Sequence, residues 1–298
     1  MKEIITVFTP TFNRKRCLKR CFDSLARQTD KRFLWIIIDD GSTDGTGEEV
    51  KEWQKEDNGF LIEYHYKENG GLHTGYNEAI KYANTELMIC IDSDDYMPDD
   101  AIERILDYWG KNGGTEFAGI AGLDIFENGM NVGDLLPDVN HINLIDLLVN
   151  RYHIHTGDIK LVVRTDLYKS VAPMPTLSGE KNFNPHYMHL QISKKYDFLV
   201  LNEPLCVIEY QQDGMTNNIF KQYCNSPNSF AETRRLYLSF ESISVKFRIK
   251  TIIHYVSSCI LSKQSPFLKN DCLNNFCIVT FFPIGWVLSI YLRIKGKG

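Results

Sequence analysis

Apolar residues run without polar interruption over residues 4–8 and 33–39 (FLWIIID), the pattern of parallel strands covered on both faces. Between them Leu18, Cys21, Phe22 and Leu25 recur at helical spacing, so a helix joins the two strands. The alternation continues with a short helix over 48–55, a strand over 62–66, a helix over 74–83 and a buried strand over 87–91 (LMICI). That last strand ends abruptly in Asp92-Ser93-Asp94-Asp95. Pro98 and Asp99 then start a helix carrying Ile102, Ile105 and Leu106. Such alternation predicts an open, doubly wound, mostly parallel α/β sheet, with ligands gathered at the carboxyl ends of its strands.

Beyond residue 117 the rhythm loosens. Residues 117–125, 160–164, 198–201 and 206–210 read as four strands separated by longer loops, a second half built onto the same sheet. After residue 217 the chain turns helical and apolar.

At 298 residues the chain can bury a full core. Its eight cysteines include no CxxC and no disulfide-like spacing, which reads as reduced, mostly buried thiols. The apolar stretch before Pro10 is too short for a signal peptide, so a cytoplasmic location is expected. Charge is unevenly placed. Residues 245–298 carry eight Lys or Arg against Asp271 alone, a segment of +7 that leaves −12 on the rest. An acidic body argues against nucleic acid as partner, and a basic apolar tail points to an anionic lipid surface.

Three loops leave successive strand ends: Thr9-Pro10-Thr11-Phe12-Asn13-Arg14, then Asp39-Asp40-Gly41-Ser42-Thr43-Asp44-Gly45-Thr46, then Asp92–Asp95. Taken singly, each can be a turn with capping residues. Together they carry more. Adjacent aspartates at the end of a buried strand are costly unless a cation or hydrogen-bond donor meets them, and the situation recurs at Asp92–Asp95. Carboxylates one residue apart can share a hard cation such as Mg²⁺ or Mn²⁺, which is usually held by one or two carboxylates plus substrate phosphates. No Walker A or GxGxxG sequence is present, so a phosphate would be held through the metal.

The strings ITVFTPTFNR, WIIIDDGSTDGT, NGGLHTGYNEAIKYA and LMICIDSDDYMPDD resemble family 2 glycosyltransferases of the GT-A fold, of the capsule and exopolysaccharide type, over about a third of the chain. The resemblance implies inverting transfer of one sugar from a nucleoside-diphosphate sugar, UDP by family habit, to a lipid-linked or oligosaccharide acceptor. It implies a nucleotide-sugar site formed by Thr9, Pro10, Thr11, Asn13, Arg14, Asp39, Asp40, His73, Asp92 and Ser93, with Asp40 reading the base. Asp92 and Asp94 correspond to the DXD pair, which holds Mn²⁺ or Mg²⁺, and Asp95 is left without a role. Where many relatives have Arg, this chain has Tyr76; His73 either substitutes in part or is an exposed loop histidine. The absence of QxxRW favours single-sugar addition over processive synthesis.

The implied organisation is a nucleotide-sugar half over 1–105, an acceptor half over 106–217 and a helical, membrane-associating extension over 218–298. Inversion needs a carboxylate to take the acceptor's proton. Glu180, in a GEKF-like segment, is the first candidate and Asp158 the second; for Glu180 the alternative is a surface salt bridge. Asp213-Gly214-Met215-Thr216 resembles a family segment and is as easily a turn. His153 with His155, or His186 with His189, lack a third ligand for zinc. Two other functions compete: a catalytically silent nucleotide-sugar-binding subunit, and a nucleotidyltransferase, which would need a Gly-rich basic loop after the first strand.

For the tail, residues 276–292 are apolar but interrupted by Pro283 and Gly285, too short and broken for a span. Residues 247–261 mix apolar residues with Arg248 and Lys250. An interfacial anchor on the inner membrane face is expected, against buried packing or a true span.

Overall fold

The structure is a computed structural model that describes residues 2–149, 151–155, 158–209, 218–269 and 271–296. Two compact units make up the chain: Met1–Pro173 with Lys195–Tyr210, and Met174–Lys194 with Gln211–Gly298.

The first unit alternates as the apolar runs require: β1 (Ile5–Thr11), α1 (Lys15–Ala26), β2 (Phe33–Asp39), α2 (Thr46–Trp53), β3 (Leu61–Tyr66), α3 (Leu72–Tyr82), β4 (Leu87–Cys90) and α4 (Ala101–Asn112). It continues through β5 (Phe117–Phe126), β6 (His141–Ile142), α5 (Leu144–Leu148), β7 (Ile159–Arg164), α6 (Thr165–Val171) and, after the second unit's first segment, β8 (Asp197–Ile208). These strands form one mixed, mostly parallel sheet in the order β3-β2-β1-β4-β7-β5-β8-β6. β1 to β4 are mutually parallel, and β7 runs against both β4 and β5. The connection reverses direction at β1, which lies between β2 and β4. The carboxyl ends of β1 and β4 therefore flank the topological switch, where such sheets bind ligands.

Every residue of β1 and β2 is buried, as strands covered on both faces must be. The α1 stripe of Leu18, Cys21, Phe22 and Leu25 is buried as its spacing predicts. Phe22 stacks on Trp53 at 4.4 Å, which seats α1 against α2. All eight cysteines are free thiols.

The sequence suggested separate strands over 198–201 and 206–210; they are one strand, β8, with register shifts against β5 that absorb the polar bend at Asn202–Pro204. Gly119 sits at one such shift with φ +148°, where a Cβ would lie 1.9 Å from the Val162 carbonyl oxygen.

The second unit is helical: α7 (His186–Ile192), α8 (Ile219–Asn225), α9 (Pro227–Leu238), α10 (Val245–Ser262) and α11 (Cys272–Gly296). The reading of residues 276–292 as a broken run is corrected: α11 is one 25-residue helix that passes through Pro283. Its buried residues, Asn274, Ile278, Gly285, Ser289 and Leu292, follow one helical stripe. On that stripe the missing side chain of Gly285 admits Val256 of α10; a Cβ there would lie 2.6 Å from Val256 Cγ1. The opposite side carries exposed Phe276, Val279, Trp286, Val287 and Ile294.

Gly119→Ala should destabilise the first unit by more than about 4 kcal/mol, because a side chain must displace the β7 backbone. Chemical denaturation monitored by tryptophan fluorescence checks this, and an unchanged midpoint would contradict the strand geometry.

Candidate active site

The loops after β1 and β2 are bonded to each other. Asn13, at φ 52°, donates its N–H to Ser42 Oγ and accepts at Oδ1 from Thr43 N–H, both at 2.8 Å. Asp40 N–H donates to the Thr11 carbonyl at 2.8 Å. Lys15 N–H donates to Asp44 Oδ2 at 3.0 Å.

Both aspartates of the second loop are buried and matched. Asp39 accepts from Ser42 N–H at 2.7 Å and from the Tyr64 hydroxyl at 2.6 Å. Asp40 accepts from Lys67 Nζ at 2.5 Å, Gly70 N–H at 2.9 Å and Gly71 N–H at 2.7 Å. Three of the roughly four lone-pair sites of the Asp40 carboxylate are thus taken by the loop leading into α3. Gly71, at φ +95°, supplies the backbone turn that presents its amide there.

The third loop brings Asp92 and Asp94 to the end of β4. Asp92 is exposed and Asp94 half-buried. Burial, and then the neighbouring Asp92 charge, raise the Asp94 carboxyl above the usual carboxylate range, with Arg14 and Arg20 opposing. Arg20 on α1 donates to the Asp94 carbonyl and, at 2.6 Å, to Glu209, and stacks 5.0 Å over the Tyr96 ring. The first and third loops therefore meet through basic residues of and beside α1. Two mutually repelling carboxylates, one residue apart, are the donor set a divalent cation relieves. Among the described residues no set of three His, Cys, Asp or Glu gathers on one point. Two carboxylates are the protein donors that a hard cation such as Mg²⁺ commonly takes alongside substrate phosphates.

Behind this pair lies a charge cluster that sequence reasoning missed. Lys160 Nζ on β7 is 4.0 Å from Asp95 Oδ2 and 3.7 Å from Asp124 Oδ1, with all three side chains nearly buried. Burial raises both carboxyls, and Lys160 pulls both back down. Burial alone would depress the Lys160 ammonium, but Asp124 and its neighbours hold it well above its ordinary range. Asp95 thereby acquires a role: it anchors the acidic loop to the sheet. The available signal was a lysine inside the apolar strand run IKLVV, which only a buried partner makes affordable.

Other expected site residues fall as follows. Pro10 is buried beneath α3, where Gly75 leaves it room; a Cβ there would come within 3.2 Å of Pro10 Cβ. The buried Thr11 hydroxyl has no hydrogen-bond partner among the described residues. Ser93 is buried within its loop. Thr9 is fully buried, and its hydroxyl accepts from Trp35 Nε1 at 3.0 Å. His73 is no exposed loop residue: it is buried in the first turn of α3, where burial lowers its pKa despite Asp40 nearby. Tyr76 is core, its ring edge-on to Phe8 at 4.8 Å.

Asp158 is exposed just before β7, and its charge acts on Asp124. Glu180 belongs to the second unit and is buried, with no salt bridge among the described residues. Its carboxylate accepts from Asn228 N–H at 2.8 Å, Asn228 Nδ2 at 2.7 Å, Ser229 N–H at 2.8 Å and the Ser229 hydroxyl at 2.6 Å. It caps the amino end of α9, and these four bonds saturate its lone-pair sites. The segment Asp213–Thr216 lies outside the described residues.

Residues 6–129 match the family model described as "Glycosyl transferase family 2". The chain is 35% identical over 101 residues to "Glycosyltransferase GlyA" of Streptococcus pneumoniae serotype 4, an alignment covering 34% of this chain and 14% of that protein. It therefore spans only a small part of that relative's length. Two solved structures share the fold. Staphylococcus aureus TarS 1-349 in complex with UDP-GlcNAc superposes with a TM-score of 0.61 at 15% identity, covering 99% of this chain and 92% of that one. The mannosyltransferase PcManGT from Pyrobaculum calidifontis, in complex with GDP-Man and Mn²⁺, gives 0.60 at 13% identity, covering 98% and 88%.

Lys160→Met leaves Asp95 and Asp124 buried without their cation. It should cost about 3–5 kcal/mol of stability, the usual penalty for breaking a buried pair on one side. Lys160→Met combined with Asp124→Asn should recover part of that loss. Denaturant titration of the three proteins checks both expectations.

Proposed function

We propose, from the match of residues 6–129 to the family model described as "Glycosyl transferase family 2", that the chain transfers one sugar, with inversion, from a nucleoside-diphosphate sugar to a lipid-linked or surface polysaccharide precursor. UDP is the nucleotide of first choice. The observation that carries this reading is the pair Asp92 and Asp94 at the carboxyl end of β4, beside the topological switch of the sheet. Support also comes from the fold shared with structures that hold UDP-GlcNAc and GDP-Man with Mn²⁺.

In this reading Asp92 and Asp94 hold Mg²⁺ or Mn²⁺. When bound, the ion neutralises the charge that develops on the departing diphosphate. The chain's own residues do the rest. Asp40, its carboxylate oriented by Lys67, Gly70 and Gly71, keeps capacity for one donor from the nucleotide base. The unpartnered Thr11 hydroxyl, Asn13 and Arg14 border the same end of β1. Arg20 fixes the backbone of Asp94 from behind, so that the acidic pair does not reorganise when donor arrives. For the acceptor's proton the choice moves from Glu180 to Asp158. Glu180 spends its oxygens on α9, whereas Asp158 is exposed in the same unit as the acidic pair. That occupied Glu180 also favours a second reading, a nucleotide-sugar-binding subunit without transfer activity. Donor turnover with and without acceptor separates the two.

The tail supports attachment to a membrane face. α11 combines a mean hydropathy of 1.8 over its most apolar window with a basic end at Arg293 and Lys295. At 1.5 Å per residue it is about 37 Å long, enough to cross a bilayer core of about 30 Å. One stripe is nevertheless packed on α10 while the other side is apolar and exposed. That arrangement suits a helix lying in the interface, holding a cytoplasmic enzyme on the inner membrane surface where a lipid-linked acceptor resides.

Asp94→Asn should abolish metal-dependent transfer and weaken nucleoside-diphosphate binding without unfolding the protein; full activity in EDTA would refute the metal assignment. Asp158→Asn should lower turnover by about 10²-fold at unchanged donor affinity, and Glu180→Gln should instead lower the melting temperature. A large turnover loss in Glu180→Gln at unchanged stability would return the base to that residue. In membrane fractionation the full chain should pellet at low salt and be released by carbonate; recovery wholly in the supernatant would exclude the anchor.

A further inference from the structure

The second unit holds a cavity of about 180 Å³ whose walls include Asn182, Tyr223, Phe230, Thr233, Arg234 and Tyr237. A single water needs only about 10–15 Å³ of such space. Arg234, on α9, dominates its chemistry. It is only 8% exposed and lies 5.1 Å from the ring centres of both Tyr223 and Phe230. One of its nitrogens donates to Ser258 Oγ, and Tyr223 is a second side-chain hydrogen-bond partner. Among the described residues no carboxylate forms an ion pair with it: Glu232 pairs with Arg235, and Glu180 spends its oxygens on Asn228 and Ser229.

A guanidinium carries five N–H donors in a planar fork that matches a carboxylate or phosphate. Burying one without an anion is costly, and contact with two rings offsets only part of that cost. Lys250 adds a second positive charge to the neighbourhood, while the lining Ser229 is bonded to the Glu180 carboxylate. Burial, followed by the charges of Arg234 and Lys250, pushes the His254 ring down to about 4. The rest of the wall has sugar-binding chemistry. Asn182 donates its amide N–H to Gln222 and Thr233 donates its hydroxyl to the Ser229 carbonyl, so both present oxygen acceptors.

We propose that this cavity binds the anionic group of a saccharide, a carboxylate or phosphate carried on the sugar, with Arg234 as its counter-ion. Binding there involves no transfer chemistry. It is therefore measured on the full chain without donor, and its outcome is separate from whether the chain is a transferase.

The test is calorimetric titration, paired with thermal shift, using glucuronate, glucose 6-phosphate, glucose and inorganic phosphate. Glucuronate or glucose 6-phosphate should bind and raise the melting temperature, glucose should not, and phosphate alone should bind at least about tenfold more weakly. Arg234→Lys keeps the charge without the fork and should weaken binding. Because Arg234 is buried, Asn182→Asp gives the decisive variant: it sets a carboxylate of equal size into the wall. It should cut affinity for the anionic sugars at least about tenfold while the melting temperature is kept or raised. Equal binding of glucose, phosphate as tight as glucose 6-phosphate, no binding by either anionic sugar, or unchanged affinity in Asn182→Asp would each overturn the proposal.

Discussion

A carboxylate withdrawn from water at the end of a strand must be met by a cation or by donors, and the first unit is organised around that requirement. Asp39, Asp40, Asp95 and Asp124 are all buried. They are answered from three stretches of chain: Tyr64 on β3 meets Asp39, Lys67 with the amides of Gly70 and Gly71 meets Asp40, and Lys160 on β7 serves both Asp95 and Asp124. Pairing these strands therefore also completes the charge balance, so the sheet and the site assemble together. Asp92 and Asp94 are set apart because they turn outward instead. The matched acids are tied to the chain around them, whereas Asp92 is exposed and Asp94 half-buried.

That distinction explains what could be read from the sequence. The apolar runs and the spacing of Leu18, Cys21, Phe22 and Leu25 located β1, α1 and β2, because covered parallel strands and a one-sided helix leave periodic signatures. The DSDD run at the end of LMICI was visible as an expense without a visible partner. The partners themselves were not, since Lys160 lies 65 residues beyond Asp95 in sequence and joins it only through the antiparallel pairing of β7 with β4. Thr9 and Thr11 illustrate the same limit at close range. Two residues apart on one strand they would share a face, but Thr9 is claimed by Trp35 whereas the Thr11 hydroxyl is not.

Other departures have equally local causes. Glu180 reads in sequence as a base or a surface salt bridge because its partners are distant: its donors come from the first turn of α9, 48 and 49 residues on. Pro283 reads as a break in the apolar run because it removes a donor and crowds the preceding turn. Packing of the Ile278, Gly285 and Ser289 stripe on both sides of it keeps α11 continuous. The register shifts of β8 leave no periodic mark, so one bent strand reads as two.

The order in which the chain visits its two units has a consequence for biosynthesis. Residues 174–194 leave the first unit before β8 has been made, and the chain returns for 195–210 before departing again. β8 pairs with both β5 and β6 and is the last strand to emerge from the ribosome. Until it does, one edge of β5 is open, while the segment bearing Glu180 waits for an α9 not yet synthesised. Neither unit can mature as an independent cotranslational step. Through that interval the nascent chain exposes a strand edge and an unmatched carboxylate, and unpaired strand edges are prone to wrong pairing.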